Sequence, residues 1–243
     1  IRAWSFDTSV ATMLLCESFP LLLSGAAIII YQKIDAVMIR NMIDNASVGQ
    51  FAVAAKIVEF GVFVPVMIAQ TVTPLLVQAH EHDPVRYAKR RQQFMDIMVW
   101  SGVAMAAAMS VLAAPAIRIL YGEKYLAAIP VLQVMAWKTV FVAMFSSSGQ
   151  VIIVEKLQRY GVFRNLVGCM VAIGLNFWLI PIWGIVGSAV ATVVTMAFSG
   201  YLSHLLISPY WYLVPMQTRS VFFGWVQGFR WIKARLMIGE QGS

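Results

Sequence analysis

Five ionisable side chains fall inside long apolar stretches of the sequence, where a charge destabilises the fold unless it is solvated or paired. Lys33 and Asp35 share the first stretch, Lys56 and Glu59 the second, and Lys138 a later one. A charge at the centre of a membrane costs about 2.5 to 3.5 kcal/mol on insertion scales, so these residues should face other helices or water. Three lysines and two carboxylates predict a hydrated, slightly cationic cavity that suits an anionic headgroup. Its carboxylates are candidates for binding a coupling cation or proton.

A structural role for the same charges is the alternative interpretation. Lys56 and Glu59, three residues apart, would then form a buried ion pair. Lys33 and Asp35 would lie near the outer interface, with their charged ends reaching water. The two interpretations differ in whether a wet space borders the side chains.

No catalytic signature accompanies these charges. The sequence has no GxSxG, P-loop or GxGxxG motif. In the run His80-Glu81-His82-Asp83 the two histidines are two residues apart, so they would point to opposite sides of a helix rather than share a metal. We therefore predict no enzymatic activity, no cofactor and no metal site.

The composition indicates that lipid solvates much of the protein. Of the 243 residues, 60% are hydrophobic and 12% are charged, whereas a soluble domain is about half apolar and a quarter charged. The formal net charge of +7 is typical of basic cytoplasmic loops, and we predict no nucleic-acid partner. Because no segment alternates with the period of a barrel strand, the predicted fold class is an all-α integral membrane protein.

Six apolar stretches are long enough for transmembrane helices, which need about 20 residues. Polar or Gly- and Pro-containing loops separate them, including the short turn from Pro181 to Gly184. The predicted spans cover residues 20–42, 47–78, 92–116, 128–154, 161–181 and 184–208. Polar faces of the first, second and fourth spans must meet if their charges are to line one cavity.

The basic residues favour one orientation of these spans. The five loops between successive spans are numbered in chain order. Twelve basic residues are counted with loops two and four and the two ends, against three in loops one, three and five. Because cytoplasmic loops carry the excess of Lys and Arg, both termini are predicted to be cytoplasmic. The twelve are Arg2, Arg86, Lys89, Arg90, Arg91, Lys156, Arg159, Arg164, Arg219, Arg230, Lys233 and Arg235.

The ends of the chain carry amphipathic patterns. We predict a cytoplasmic or interfacial segment at 1–19, a six-helix lobe at 20–209 and a basic aromatic interfacial tail at 210–243, with a seventh span as the alternative for the tail. Since the chain begins at Ile1 without an initiator Met, we expect a fragment or a processed part of a longer protein.

Short motifs in order along the chain resemble those of polysaccharide flippases. They are Glu17-Ser18-Phe19-Pro20-Leu21-Leu22-Leu23-Ser24-Gly25, Ile30-Tyr31-Gln32-Lys33-Ile34-Asp35, Ala52-Val53-Ala54-Ala55-Lys56, Leu120-Tyr121-Gly122-Glu123-Lys124-Tyr125 and Ile180-Pro181-Ile182-Trp183-Gly184. In this pattern the chain resembles the C-terminal half of flippases for O-antigen and other lipid-linked oligosaccharides. These belong to the multidrug, oligosaccharidyl-lipid and polysaccharide exporter superfamily.

The resemblance implies one six-helix lobe of a twelve-helix flippase whose N-terminal lobe is missing here. It implies export of a lipid-linked oligosaccharide, carried on undecaprenyl pyrophosphate, for surface polysaccharide synthesis. The lipid would cross the bilayer of the bacterial cytoplasmic (inner) membrane by alternating access.

The resemblance also implies roles for particular residues. Asp35 matches the acidic position that follows the Tyr of its motif, and Lys56 stands where another motif often carries a basic residue. The other roles come from the predicted cavity and not from the resemblance. There we expect Lys33, Lys56 and Lys138 to bind the pyrophosphate, Tyr31 and Asn176 to bind sugars, and Asp35 or Glu59 to couple an ion.

Three other functions fit the sequence less well. A multidrug or small-molecule antiporter of the same superfamily is the nearest alternative, and lipophilic cations should avoid a cationic cavity. A membrane-embedded glycosyl- or acyltransferase would turn over a donor substrate. A non-transporting subunit would pack its polar faces without water.

Overall fold

The chain folds as a bundle of long helices. The computed structural model describes residues 8–157 and 160–224, and this part of the chain contains no β-strand. The long helices are α1 (Thr8–Met42), α2 (Asn45–His82), α3 (Pro84–Tyr121), α4 (Ala128–Ala136), α5 (Lys138–Val154) and α6 (Gly161–Ala197). A π-helical segment, Phe198–Leu202, leads into the short α7 (Ser203–Leu206), and residues 213–224 form a further helix, α8.

Four stretches of the described chain are long and apolar enough to cross a membrane. They are Asn45–His82, Pro84–Tyr121, Ala128–Val154 and Gly161–Leu206. The third joins α4 to α5, and the fourth contains two helical arms that match the two last predicted spans. With α1, and with the two arms of α6 counted separately, the described chain has six long helical segments in the order of the six predicted spans.

The reversal between the two arms of α6 occurs at Gly184. This residue has φ 58° and ψ −137°, in a region that only glycine adopts easily. The Ser188 hydroxyl donates a hydrogen bond of 2.7 Å to Oδ1 of Asn176. Twelve residues of straight helix would separate these groups by about 18 Å, so the arms fold back on each other. The predicted turn at Pro181 to Gly184 is therefore confirmed.

Side-chain caps set the starts of α2 and α3. Asp44 accepts a hydrogen bond of 2.6 Å from the Ser47 amide, and Asp83 accepts one of 2.9 Å from the Arg86 amide. Each carboxylate thereby satisfies an amide that has no partner within its helix. Pro84 follows as the first residue of α3, where its missing N–H costs nothing.

The two ends of the predicted lobe lie within packed helices. α1 runs without a break from Thr8 across the predicted boundary at 19–20, and its membrane placement stays a prediction. The first part of the predicted tail, α8, packs on the bundle through the buried residues Leu213, Gln217 and Ser220. Residues 1–7 and 225–243 lie outside the described chain, with the remaining tail prediction among them.

Candidate functional site

A cavity of about 840 Å³ lies between α1, α2, α5 and α6. On α2 its lining extends from Phe51 to Val66, about 22 Å of helix at 1.5 Å per residue. It reaches the other end of the bundle at Gly161, where α6 begins. The cavity thus follows the bundle through much of the thickness of a bilayer core, which is about 30 Å.

The three predicted lysines all line this cavity. Lys33 comes from α1, Lys56 from α2 and Lys138 from the start of α5. Lys138 interacts electrostatically with Asp35, Glu59 and Lys33, which places these charges in one electrostatic environment. The packing of α1 and α5 around α2 therefore gathers residues that are as much as 105 positions apart in the sequence, from 33 to 138.

Lys56 and Glu59 form an ion pair on the cavity wall. Nζ of Lys56 and Oε2 of Glu59 are 3.4 Å apart, and the two side chains are 63% and 59% exposed. Because exposed pairs of this kind are worth at most about 1 kcal/mol, either partner is free to exchange its contact for a bound ion. The pair borders open space and is not packed in a dry core.

The structure adds Arg164, which the sequence analysis grouped with the cationic loops. Arg164 lies on the first turn of α6, lines the cavity and is only 7% exposed. Its guanidinium carbon stands 3.9 Å from the centre of the Phe145 ring, a cation–π contact. The adjacent Asn165 lines the cavity as well. In the sequence, three apolar or small residues separate Arg164 from the loop before α6. This position inside the apolar stretch was the available signal that Arg164 belongs to the bundle.

Asp35 occupies a different environment, at the contact of α1 with both arms of α6. It is 5% exposed. Its Oδ1 accepts a hydrogen bond of 2.7 Å from Nδ2 of Asn176, and its Oδ2 accepts one of 2.9 Å from the Thr192 hydroxyl. The carboxylate also forms part of the cavity lining. It therefore connects the cavity to a buried polar network.

Asn176 belongs to that network and is not part of the cavity lining. It is fully buried, and its Nδ2 also donates to the carbonyl of Ala172 at 2.9 Å. Its Oδ1 accepts from Ser188, so the amide has partners on both atoms. In this conformation Asn176 holds Asp35, and its sugar-binding role stays a prediction. The side chain of Tyr31 lies outside the described residues, so its role is also a prediction.

The lining carries more positive than negative side chains. Among the described residues the cationic ones are Lys33, Lys56, Lys138 and Arg164, against the two carboxylates Asp35 and Glu59. Walls of low dielectric strengthen the field of this excess, which attracts anions and repels cations. Phosphate oxygens are the natural partners of such lysine and arginine side chains.

The long apolar helices, with a cavity between them that is lined by several charged side chains, define a multi-pass integral membrane protein. The polysaccharide biosynthesis protein family matches residues 2–130, more than half of the chain. The chain therefore belongs to this family, as its motifs predicted. A comparison with curated proteins gives no match.

Two solved transporters of the multidrug, oligosaccharidyl-lipid and polysaccharide exporter superfamily have a similar fold. One is an outward-facing multidrug resistance transporter of the MATE family, with a TM-score of 0.65. The other comes from Pyrococcus furiosus, where a binding pocket of reverse polarity suggests a different function, and its TM-score is 0.58. Each is 16% identical over 79% of this chain and 44% of its own. This chain thus spans less than half the length of either protein.

Proposed function

We propose that the chain forms one lobe of a flippase that exports a lipid-pyrophosphate-linked oligosaccharide by alternating access. Membership in the polysaccharide biosynthesis protein family and the transporter-like fold support this proposal. The observation that carries it is the cationic cavity between α1, α2, α5 and α6.

Within this proposal the cations of the cavity bind the pyrophosphate. Lys56 and Lys138 lie on opposing helices, so the two can approach one anionic group from two sides. Lys33 and Arg164 add charge from α1 and α6. The lipid tail stays in the bilayer, and Tyr31 and Asn176 hydrogen-bond to sugars in other conformations of the transport cycle.

Asp35 and Glu59 are the proposed ion-coupling residues. The oxygens of Asp35, Asn176, Thr192 and Ser188 form one buried cluster, and either a proton or a sodium ion would neutralise the carboxylate within it. A change of charge at Asp35 alters the contact between α1 and α6, which supplies a link from ion binding to lobe movement.

The same proposal includes a second lobe, the membrane in which the protein lies, and the lipid that carries the oligosaccharide. The chain covers 44% of two similar transporters, in keeping with a partner lobe of six further helices. The excess of basic residues on alternate loops favours cytoplasmic termini and six crossings. Undecaprenyl pyrophosphate and the bacterial inner membrane fit an O-antigen or related surface polysaccharide pathway.

A binding comparison tests the cavity. Purified chain in detergent is titrated with geranylgeranyl pyrophosphate and with geranylgeraniol, which differ only in the anionic head. We expect the pyrophosphate to bind about tenfold or more tightly, and Lys56→Gln/Lys138→Gln to reduce that preference to about one. In cells that depend on the transporter, the same substitutions should lower the display of surface polysaccharide.

The matched control is Arg118→Gln/Lys124→Gln, which removes two exposed charges outside the cavity lining. It should keep the preference for the pyrophosphate. Equal binding of the two lipids by the unmodified chain would contradict the proposed substrate class.

The fold shared with a multidrug resistance transporter favours an antiporter as the second candidate. A panel of lipophilic cations separates the two functions. Cations should bind poorly to a cavity with excess positive charge, so micromolar binding of several of them would favour the antiporter.

A further inference from the structure

A smaller cavity of about 410 Å³ lies between α3 and α8, away from the central one. Its polar lining consists of Lys89, Arg91, Gln92, Gln93 and Arg219. No carboxylate is among the residues that line it. We name it the α3–α8 pocket.

The α3–α8 pocket has cations that the described chain does not neutralise. Arg91 is paired, because its Nη1 lies 2.5 Å from Oε1 of Glu155, although its Nε is buried without a hydrogen bond in the described structure. Lys89 and Arg219 are exposed, and neither forms an ion pair with any described residue. An anion entering the pocket therefore meets two uncompensated charges.

A buried network holds the two walls of the pocket together. The Ser220 hydroxyl donates a 2.6 Å hydrogen bond to Oδ1 of Asp96, and Nε2 of Gln92 donates to the same oxygen at 2.9 Å. Nε1 of Trp100 donates to the Ser220 carbonyl at 3.1 Å. Asp96 is only 5% exposed and is not among the residues that line the pocket, so the pocket surface itself carries no carboxylate.

The contacts also show the direction of α8. Gln92 contacts the carbonyl of Met216, while Gly224 packs against Trp100 further along α3. The two helices therefore run parallel, from the basic end of α3 towards its apolar middle. At that deeper level three large apolar side chains are mostly exposed: Ile97, Phe222 and Phe223.

We propose that the α3–α8 pocket binds the phosphate group of an anionic phospholipid in the cytoplasmic leaflet. The phosphate contacts Lys89, Arg91 and Arg219, and the acyl chains extend over the exposed apolar surface below. This order of cations first and apolar side chains deeper is the order of a lipid headgroup and its tails. The site is separate from the central cavity and does not depend on what that cavity transports.

Native mass spectrometry of the purified chain in detergent tests the proposal. Equal amounts of dioleoyl phosphatidylglycerol and dioleoyl phosphatidylcholine are added, and the bound lipid is counted. We expect one phosphatidylglycerol molecule to be retained in preference. The substitutions Lys89→Gln/Arg219→Gln should reduce that preference roughly tenfold to thirtyfold, while Lys89→Arg/Arg219→Lys should preserve it.

Three comparisons make the outcome decisive. Arg86→Gln/Lys156→Gln removes two exposed charges outside the pocket and should change nothing, so an equal loss there would overturn a specific site. Full displacement by millimolar inorganic phosphate would overturn lipid recognition in favour of a free anion. Retention of the lipid by Lys56→Gln/Lys138→Gln separates this pocket from the central cavity, and its loss there would overturn the separation.

Discussion

Asn176 and Asp35, 141 residues apart in sequence, are joined by a hydrogen bond of 2.7 Å between Nδ2 and Oδ1. The contact connects α1 to the first arm of α6, and Thr192 adds a second hydrogen bond from the other arm. One buried carboxylate thus ties together three helical segments, and it also borders the central cavity. Loss of these hydrogen bonds should therefore weaken the contact between α1 and both arms of α6.

Removing the Asn176 amide should destabilise the bundle. In Asn176→Leu, Asp35 loses a donor while remaining buried, and an unsatisfied buried group costs about 1 to 3 kcal/mol. The midpoint of thermal unfolding in detergent should fall, and less so for Thr192→Val, which leaves the amide in place.

The control for that comparison is Phe177→Leu, one position along α6 on its exposed side. It should leave the midpoint nearly unchanged. If Asn176→Leu unfolds at the same temperature as the unmodified chain, the network contributes no net stability.

The close approach of the two arms of α6 predicts a sharp difference between two glycines. A Cβ atom at Gly187 would clash with the carbonyl oxygen of Leu179, whereas one at Gly174 would meet nothing within 4 Å. Backbone cannot yield as a flexible side chain can. Gly187→Ala should therefore destabilise by about 1 to 3 kcal/mol or more, and Gly174→Ala should be neutral or stabilise by up to about 1 kcal/mol.

Unfolding midpoints of the two alanine variants, measured side by side, check this prediction. Equal midpoints would mean that the arms are further apart than the structure describes. A spin-label pair on the two arms would then give the separation directly.

The contacts of Glu155 at the basic end of the bundle predict how folding stability depends on pH. It accepts hydrogen bonds from the hydroxyls of Tyr87 and Tyr212 and from Arg91, whose guanidinium stacks on both rings. Burial, aided by the hydrogen bond to Glu155, raises the pKa of Tyr212 above its ordinary value. A raised pKa favours the neutral phenol in the folded state. The Tyr212 phenol therefore makes its full contribution to folding stability below the unfolded pKa of about 10. That contribution is lost as the pH rises further.

Chemical denaturation between pH 8 and 11 measures this effect. Tyr212→Phe keeps the ring over Arg91 but removes the hydroxyl, so it should cost about 1 kcal/mol at pH 8. The difference from the unmodified chain should shrink above pH 10. A difference that stays constant across the range would show that Tyr212 titrates alike in the folded and unfolded chain.

Helix positions followed from the sequence where apolar runs end in turn residues. The predicted span 128–154 matches Ala128–Val154, and the turn at Gly184 was visible from its proline and glycine. The bounds of α3 were less accurate: the prediction began at 92, while the helix begins at Pro84. Its first two turns are polar, so they carry no apolar pattern even though Asp83 caps the helix.

The cavity was predictable in its charges but not in its full membership. Lys33, Lys56 and Lys138 stood out because lipid excludes charge, whatever the packing. Arg164 did not stand out, since a basic residue near a loop is ordinary in a membrane protein. Only the packing of α5 against α6 places it over Phe145 and inside the cavity wall.

The amino-acid sequence by itself determined the membrane class, the order of the helices and the residues whose charge requires a polar surrounding. These follow from composition and local periodicity, which act over one helix at a time. The tertiary structure alone decided that Asn176 holds Asp35 and that α8 lies along α3. Such pairings depend on the angle and register at which distant helices pack, and no local pattern in the chain specifies them.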